Sequence, residues 1–442
     1  MKYKLYDRPP LGVSLLTALQ WIIVTLSSTI VVPIVIGDVY GLGTEQVGLF
    51  MQQTIFYVGL ASLFQVLWGH QYPMMDGPAG LWWGIYLILA QIGISLGQDP
   101  IAIGQSFELG LIIAGVIFII LGATKWIGRI QKWFTPITTG IYMTLLAISL
   151  CSTFVKGLLG VGYHHSTKVL PAVALASLVI IVLVLVFMRI PKLSSYAVLL
   201  GMAVGWAGFA VMGWADPVKP TDHIVVWPSI LFWGPPKWDG GIVLTSILTG
   251  FVLLTNLITS MVVVGRVVQQ EPTQGQLNRG GIMTGVPHLI SGISGVVGMI
   301  PISLAAAVIE TTKIASRRPF IFSMIAFMVI GILPPISQLL ASIPTPVAYA
   351  AMFVTYTQLL GFGLKDFAKV NLDQRTITII GSALLVGIGV MFVPVDAWKS
   401  LNPLLSYLLG NGLLLGVLLA LLLEHVVFKE KKTSEEKKAL RN

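Results

Sequence analysis

The sequence predicts an all-α polytopic membrane protein with fourteen transmembrane spans arranged as a 7+7 inverted repeat. Three observations carry this. Of 442 residues, 55% are hydrophobic and only 10% are charged, and the apolar runs repeatedly exceed the roughly 18 residues that cross a bilayer. Lys and Arg collect in alternate loops, on one side of the layout. Two spans in corresponding positions of the two halves are interrupted by Pro and Gly, which is how many secondary transporters build a mid-membrane site.

Taken in order, the first seven spans cover about 12–36, 46–67, 74–95, 107–124, 134–155, 170–189 and 195–213. The second seven cover about 241–265, 281–299, 300–315, 319–341, 344–362, 376–394 and 403–428. Between the halves, the Pro- and Trp-rich stretch 214–240 reads as an interfacial loop with aromatic anchors. MKYKLYDRPP at the start is basic and runs straight into a full-length span, so no cleavable signal peptide is expected. The tail 429–442, KEKKTSEEKKALRN, reads as a charged, disordered cytoplasmic extension.

Charge fixes the orientation. In this layout Lys156, Lys168, Lys219, Lys237 and Lys399 fall on one side, and the other 22 of the 27 Lys and Arg residues fall on the opposite side. The richer side contains the N-terminus (Lys2, Lys4, Arg8), Lys125/Arg129/Lys132, Arg189/Lys192, Arg266/Arg279, Lys313/Arg317/Arg318, Lys365/Lys369/Arg375 and the tail from Lys429. Both termini are therefore expected in the cytoplasm of a multi-pass cell-membrane protein. Seven spans per half is an odd number, so the halves run in opposite senses. The net charge of +9 is spread in short clusters between apolar spans, which fits lipid head groups and excludes a nucleic-acid partner.

The tenth span anchors the functional reading. Residues 286–320, VPHLISGISGVVGMIPISLAAAVIETTKIASRRPF, are loosened by Gly292, Gly295 and Gly298 and broken at Pro301. They restart through Ala305, Ala306 and Ala307. In hydrocarbon every backbone N–H and C=O needs a partner, so a broken span survives only inside protein or beside a cavity. The restarted half-helix is expected to aim free N–H groups and its positive dipole end into that cavity. The third span matches: Pro73, Gly77, Pro78 and Gly80 crowd its entrance before a clean helix from Leu81. Two acids lie near these breaks. Glu310 is either a proton-coupling group or a partner of Lys313, and Asp76 is either a coupling group or a cap on the half-helix.

Other chemistry is thin. Cys151 is the one cysteine, so there is no disulfide framework or thiolate metal site. The six histidines fall mostly at loops or interfaces and show no metal spacing, so no metal or cofactor is expected. Gly41 to Gly43 has no following Gly-Lys-Ser, which excludes a phosphate loop. Glu424 and His425 are expected to snorkel to the interface. No paired acid and base suggests an enzyme.

Several segments resemble the nucleobase:cation symporter-2 family, also called nucleobase/ascorbate transporters, which includes uracil and xanthine permeases. Arg8-Pro9-Pro10 precedes LLTALQW and VVPIVIG, similar to the family's entrance segment, with Trp21 where His is usual. MMDGPAG resembles its third-span Gly-Ser-Ser-Phe strand, VVVGRVVQQE the end of the eighth span, and LNRGGIMTGVPHLISGISG the ninth. IASR and IPTPVAYAAMFVTY resemble the end of the tenth span and the start of the twelfth. The resemblance implies short antiparallel strands in broken spans 3 and 10, flanking the substrate. It also implies core segments 1–124 and 241–341, gate segments 125–240 and 342–428, and a homodimer.

The same resemblance implies import of a nucleobase by proton symport, with a purine such as xanthine, urate, guanine or hypoxanthine favoured over uracil. The family's eighth-span carboxylate falls on Asn256, a histidine of some members on Ser260, and the tenth-span polar anchor on Leu304 or Ala307. Asn256 both donates and accepts, which suits a base edge. Gly80, Ala305, Ala306 and Ala307 would offer backbone donors, and Gln20 and Tyr356 are further candidates. The alternatives are an uncoupled facilitator of another small polar solute and an anion transporter of the related sulfate-permease fold.

Overall fold

A break at Ile30 splits the first helical run into α1 (Leu11–Thr29) and α2 (Val31–Tyr40), and Gly41 in the left-handed region (φ 68°) ends it. The computed structural model describes residues 1–127, 133–191, 193–218, 221, 223–394, 397–398, 401, 405 and 409–429. Arg129, Lys132, Lys192, Lys219 and Lys399 from the charge count, and the tail from 430 onward, lie outside the described residues. The chain continues through α3 (Thr44–Leu67), β1 (Asp76–Pro78), α4 (Gly80–Ser95), α5 (Pro100–Ala123), α6 (Pro136–Leu158), α7 (Pro171–Arg189) and α8 (Ala197–Val211). The second half holds α9 (Gly240–Val267), α10 (Gln274–Ser294), β2 (Met299–Pro301), α11 (Ala305–Thr312), α12 (Arg317–Ile330), α13 (Pro334–Ala341), α14 (Thr345–Phe367), α15 (Gln374–Met391) and α16 (Gly412–Leu422).

Among the described residues, seven helical runs are long and apolar enough to cross a membrane. The α12–α13 pair, bent by 83°, makes an eighth if it counts as one span. Of the rest, the ninth falls on α10, which is long enough but less apolar, and the others are shorter apolar helices or the two interrupted segments. Proline or a side-chain cap opens most of the long helices. Asp99 accepts from Ile101 N–H, Thr135 from Thr138 N–H and Asp239 from Gly241 and Ile242 N–H, each satisfying donors a helix start leaves open.

The tightest packing joins α5 to α10. Small residues make it possible. A methyl group added at Gly115 would lie 2.8 Å from the Gly285 carbonyl, and one at Gly285 would lie 2.6 Å from the Gly115 carbonyl, so the two backbones touch. Around this pair, α3 packs on α12 and α13, α9 on α5, and α1 on α12. In a second group, α14 packs on α6 and α7, α15 on α16, and α7 on α8, and this group meets the first through α14 on α2 and α6 on α4.

The segment between the halves departs from the simple interfacial loop. Trp227 and Trp238 are exposed, as anchors would be, but Trp233 is buried. Its ring lies over Gly104 and contacts Tyr40, Phe50 and Phe232. Residues 214–215 stay with the preceding helices, where Tyr163 and His164 bond the Trp214 carbonyl. From Val226 onward the chain is tied instead to α3, α5 and α10.

Candidate functional site

The two interrupted spans meet as an antiparallel strand pair, with Asp76 opposite Pro301, Gly77 opposite Ile300 and Pro78 opposite Met299. Flanking ladder bonds run from Ile302 N–H to the Met75 carbonyl (2.9 Å) and from Ala79 N–H to the Gly298 carbonyl (3.2 Å). Antiparallel pairs alternate between bonded and non-bonded, so 76/301 and 78/299 are non-bonded pairs. Both prolines therefore stand where their missing N–H costs the ladder nothing.

This register also turns the Asp76 backbone outward. Its N–H donates to Ser62 Oγ (2.8 Å), and the Ser62 hydroxyl donates back to its carbonyl (3.3 Å), stapling β1 to α3. The Asp76 side chain is fully buried beside Gln65, yet neither carboxyl oxygen has a well-formed hydrogen bond. The reason is visible in Gln65, whose amide N–H groups are already given to the Gly280 carbonyl (3.0 Å) and Thr284 Oγ1 (2.9 Å). Asp76 does not cap α4: the capping position is Ala79, with no side-chain bond.

Two half-helices start from the strand ends. Gly80 opens α4, and its N–H makes no hydrogen bond among the described residues. In the tenth span the expected donors are displaced by one turn. The N–H groups of Ala305, Ala306 and Ala307 are occupied by the carbonyls of Ile302, Ser303 and Leu304 (3.3, 2.9 and 3.1 Å). Among the described residues the unbonded donors are Ser303 and Leu304 N–H, and both side chains are exposed. A tight turn precedes α11 and consumes the alanine donors, a detail that Pro301 alone does not reveal.

The other candidates separate into two groups. Helix α9 packs on β2, α4 and α11, so Asn256 belongs to an element touching both half-helices. Asn256 is half-buried and accepts from the Ser260 hydroxyl (3.3 Å), which leaves its amide N–H groups unengaged. Helix α1 touches β1 and carries the half-buried Gln20. Tyr356 is tied to α6: its ring stacks on Phe154 at 4.2 Å, and its buried hydroxyl sits by Cys151 and Leu150 without a well-formed bond. Glu310 is exposed near the far end of α11. Among the described residues the ion pairs are Arg266–Glu271 and Lys369–Asp366, so the Glu310–Lys313 pair, the alternative to a coupling role, is not formed.

Sequence reasoning missed three buried polar groups. His288 accepts from Trp82 Nε1 (2.7 Å) at Nε2 and meets the Thr284 carbonyl at Nδ1 (2.7 Å). Indole only donates and a carbonyl only accepts, so the ring is neutral with its proton on Nδ1. His70 is also fully buried, accepting from Tyr72 N–H at Nδ1. Glu108 is fully buried on α5, with Oε1 accepting from Trp233 N–H (3.3 Å). Nor does Glu424 snorkel: it is buried and takes hydrogen bonds from Thr135 and Thr138.

A sequence model described as Permease family, that of the xanthine and uracil permeases, matches residues 12–396. The chain belongs to this family. It is 34% identical over 413 residues to the putative purine permease YwdJ of Bacillus subtilis, covering 92% of this chain and 94% of that protein. It is 27% identical to the uric acid permease PucK and 26% to the xanthine permease of the same organism, covering 94% and 96% of this chain and 96% and 97% of those proteins. These relatives are transporters, and this permease is a membrane transporter and not an enzyme. Among solved structures, the transmembrane domain of the cyanobacterial bicarbonate transporter BicA superposes with a TM-score of 0.63 at 15% identity, covering 95% of this chain and 99% of that one. The murine anion transporter Slc26a9 gives 0.62 at 14%, covering 97% and 70%. At such identity the likeness extends to the fold alone: a mostly helical transporter fold.

Proposed function

We propose that this permease imports a purine-like nucleobase by proton symport, binding it beside the β1–β2 pair, between the starts of the two half-helices. The carrying observation is the strand pair itself, from whose opposite ends α4 and α11 start, with α9 packed against both half-helices. Gly80, Ser303 and Leu304 N–H groups then suit the carbonyl oxygens of a base, aided by the positive ends of the two half-helices. The free Asn256 amide adds a side-chain donor, and Gln20, Tyr356 and Ala305 to Ala307 complete the lining. That the relatives are purine, uric acid and xanthine permeases supports purines over uracil.

Fourteen spans in a 7+7 inverted repeat, alternating access between core segments (1–124, 241–341) and gate segments (125–240, 342–428), and a homodimer belong to the same reading. The close packing of α6–α8 with α14–α16, with smaller contacts to α1, α2 and α4, supports that division, although residues 226–237 ride with the core. A cytoplasmic N-terminus is supported by a single bridge, in which Tyr3 pairs in parallel with Ile314, and a cytoplasmic C-terminus belongs to the same reading. The bridge puts Lys2 and Lys4 on the same face as Lys313.

Of the two acids, Asp76 suits coupling better. It is buried and attached to the strand that meets the substrate, whereas Glu310 is exposed at the far end of its helix. The test is uptake of labelled xanthine, urate, guanine, hypoxanthine and uracil into proteoliposomes with and without an imposed pH gradient. Asp76→Asn should retain binding but lose gradient-driven accumulation, while Glu310→Gln should accumulate like the parent. Accumulation by Asp76→Asn equal to the parent would remove Asp76 from coupling. An absence of any gradient effect in the parent would favour the uncoupled facilitator.

A further inference from the structure

We infer that residues 226–237 form a strap that positions β2, with Glu108 and Trp233 as its positioning residues; the functional part of the inference rests on the proposed substrate site. The argument starts at the end of α10. A helix leaves its last carbonyls without intrahelical partners, and here the strap supplies two of them. Leu231 N–H donates to the Ile293 carbonyl (2.7 Å), and Trp233 Nε1–H donates to the Gly295 carbonyl (2.9 Å). Gly295 itself is left-handed (φ 76°), and a methyl group there would lie 2.7 Å from both Glu108 Oε1 and Phe232 Cβ. The turn that ends α10 is therefore closed against the strap, and β2 begins four residues later.

The strap is held from the other side by α5. Gln105 and Glu108, three residues apart on one helix face, grip both backbone groups of Trp233. Glu108 Oε1 accepts its N–H (3.3 Å), and Gln105 Nε2 donates to its carbonyl (3.0 Å). Lys237 N–H reaches the Gln105 carbonyl (3.3 Å), Gln52 Nε2 bonds the Val226 carbonyl (2.6 Å), and Val226 N–H bonds the Ile332 carbonyl (3.0 Å). Leu231 is kept at φ 55°, a region that non-glycine residues avoid, with Gly234 N–H closing the turn onto its carbonyl. The strap thus connects α5 to the end of α10 and so to the register in which β2 meets β1. Two residues on, Asp239 caps α9, the helix of Asn256.

Two measurements in a Cys151→Ser background test this. The first is the maleimide labelling rate of Ile302→Cys, just past β2. The second is the KM and maximal rate for labelled xanthine, urate and uracil. Trp233→Phe keeps an aromatic ring but loses the donor to Gly295, and Glu108→Leu loses the acceptor. Both should change the labelling rate at position 302 several-fold and raise KM about tenfold with little change in maximal rate, as expected for one lost buried hydrogen bond. Glu108→Gln, which keeps a carbonyl acceptor, should restore both readings. An unchanged labelling rate in Trp233→Phe and Glu108→Leu would overturn the strap. A changed labelling rate with unchanged KM would support the strap and count against the substrate site instead.

Discussion

Replacing Ser62 by Ala isolates the staple that holds β1. The substitution removes one hydroxyl from a fully buried site and deprives both backbone groups of Asp76 of their partner, since the non-bonded pairing with Pro301 leaves them facing away from β2. An unsatisfied buried N–H costs about 1–3 kcal/mol, and the carbonyl, bonded at 3.3 Å, adds less. Borne wholly by the strand-paired state, that cost weakens purine binding by about 5- to 150-fold, at roughly 1.4 kcal/mol per tenfold. The assay is equilibrium binding of labelled xanthine and urate to purified protein in detergent. Ser323→Ala is the matched control, because Ser323 is equally buried but bonds only the Phe320 carbonyl three residues back in its own helix (2.6 Å). Equal affinities for the two variants would refute the claim that the Ser62 staple sets the strand and that the strand sets the site.

Two further outcomes follow from the same geometry. Asn256→Leu removes the unengaged amide and should cost about 1–3 kcal/mol of binding measured by titration calorimetry, with folding intact; unchanged affinity would make Asn256 a packing partner of Ser260. Asp373 caps α15 by accepting from Thr376 N–H (2.7 Å), which holds its carboxyl below the ordinary carboxylate value. A lowered folded pKa gives stability that is present above the unfolded value and lost as pH falls through the folded one. Asp373→Ala should therefore melt lower than the parent near neutral pH, and the gap should close in acid; a gap that persists in acid would contradict the cap.

Hydropathy made the long spans legible because lipid imposes one requirement on every residue of a crossing helix. The interruptions were legible from Pro73, Pro78 and Pro301, since proline removes a donor wherever it stands. Even so, the start of α5 was misplaced. Gln105 and Ser106 lower the local hydropathy just ahead of the expected boundary at 107, while the helix begins at Pro100 and buries both, with Glu108. Trp233 was hidden for a related reason. An indole in a Pro-rich loop looks the same in sequence whether it meets lipid or, as here, Gly104 on a helix more than a hundred residues away. The occupied N–H groups of Ala305 to Ala307 escaped because the turn at 302–304 depends on where β2 ends, which only its pairing with β1 fixes.

The same distinction separates the two acids. Sequence neighbours gave Glu310 a lysine three residues on and gave Asp76 a half-helix to cap, and neither partnership forms. What decides between them is attachment. Asp76 is a residue of β1, so whatever shifts the strand on substrate binding also moves this carboxyl relative to Ser62 and Gln65. If binding a proton there changes substrate affinity by some factor, substrate must change proton affinity by the same factor, because the coupling free energy is shared. A carboxyl built into β1, the strand of the proposed site, meets that condition through its own backbone. Glu310, at the other end of α11 and exposed, would have to transmit the coupling along a helix of eight residues that ends at a left-handed Lys313.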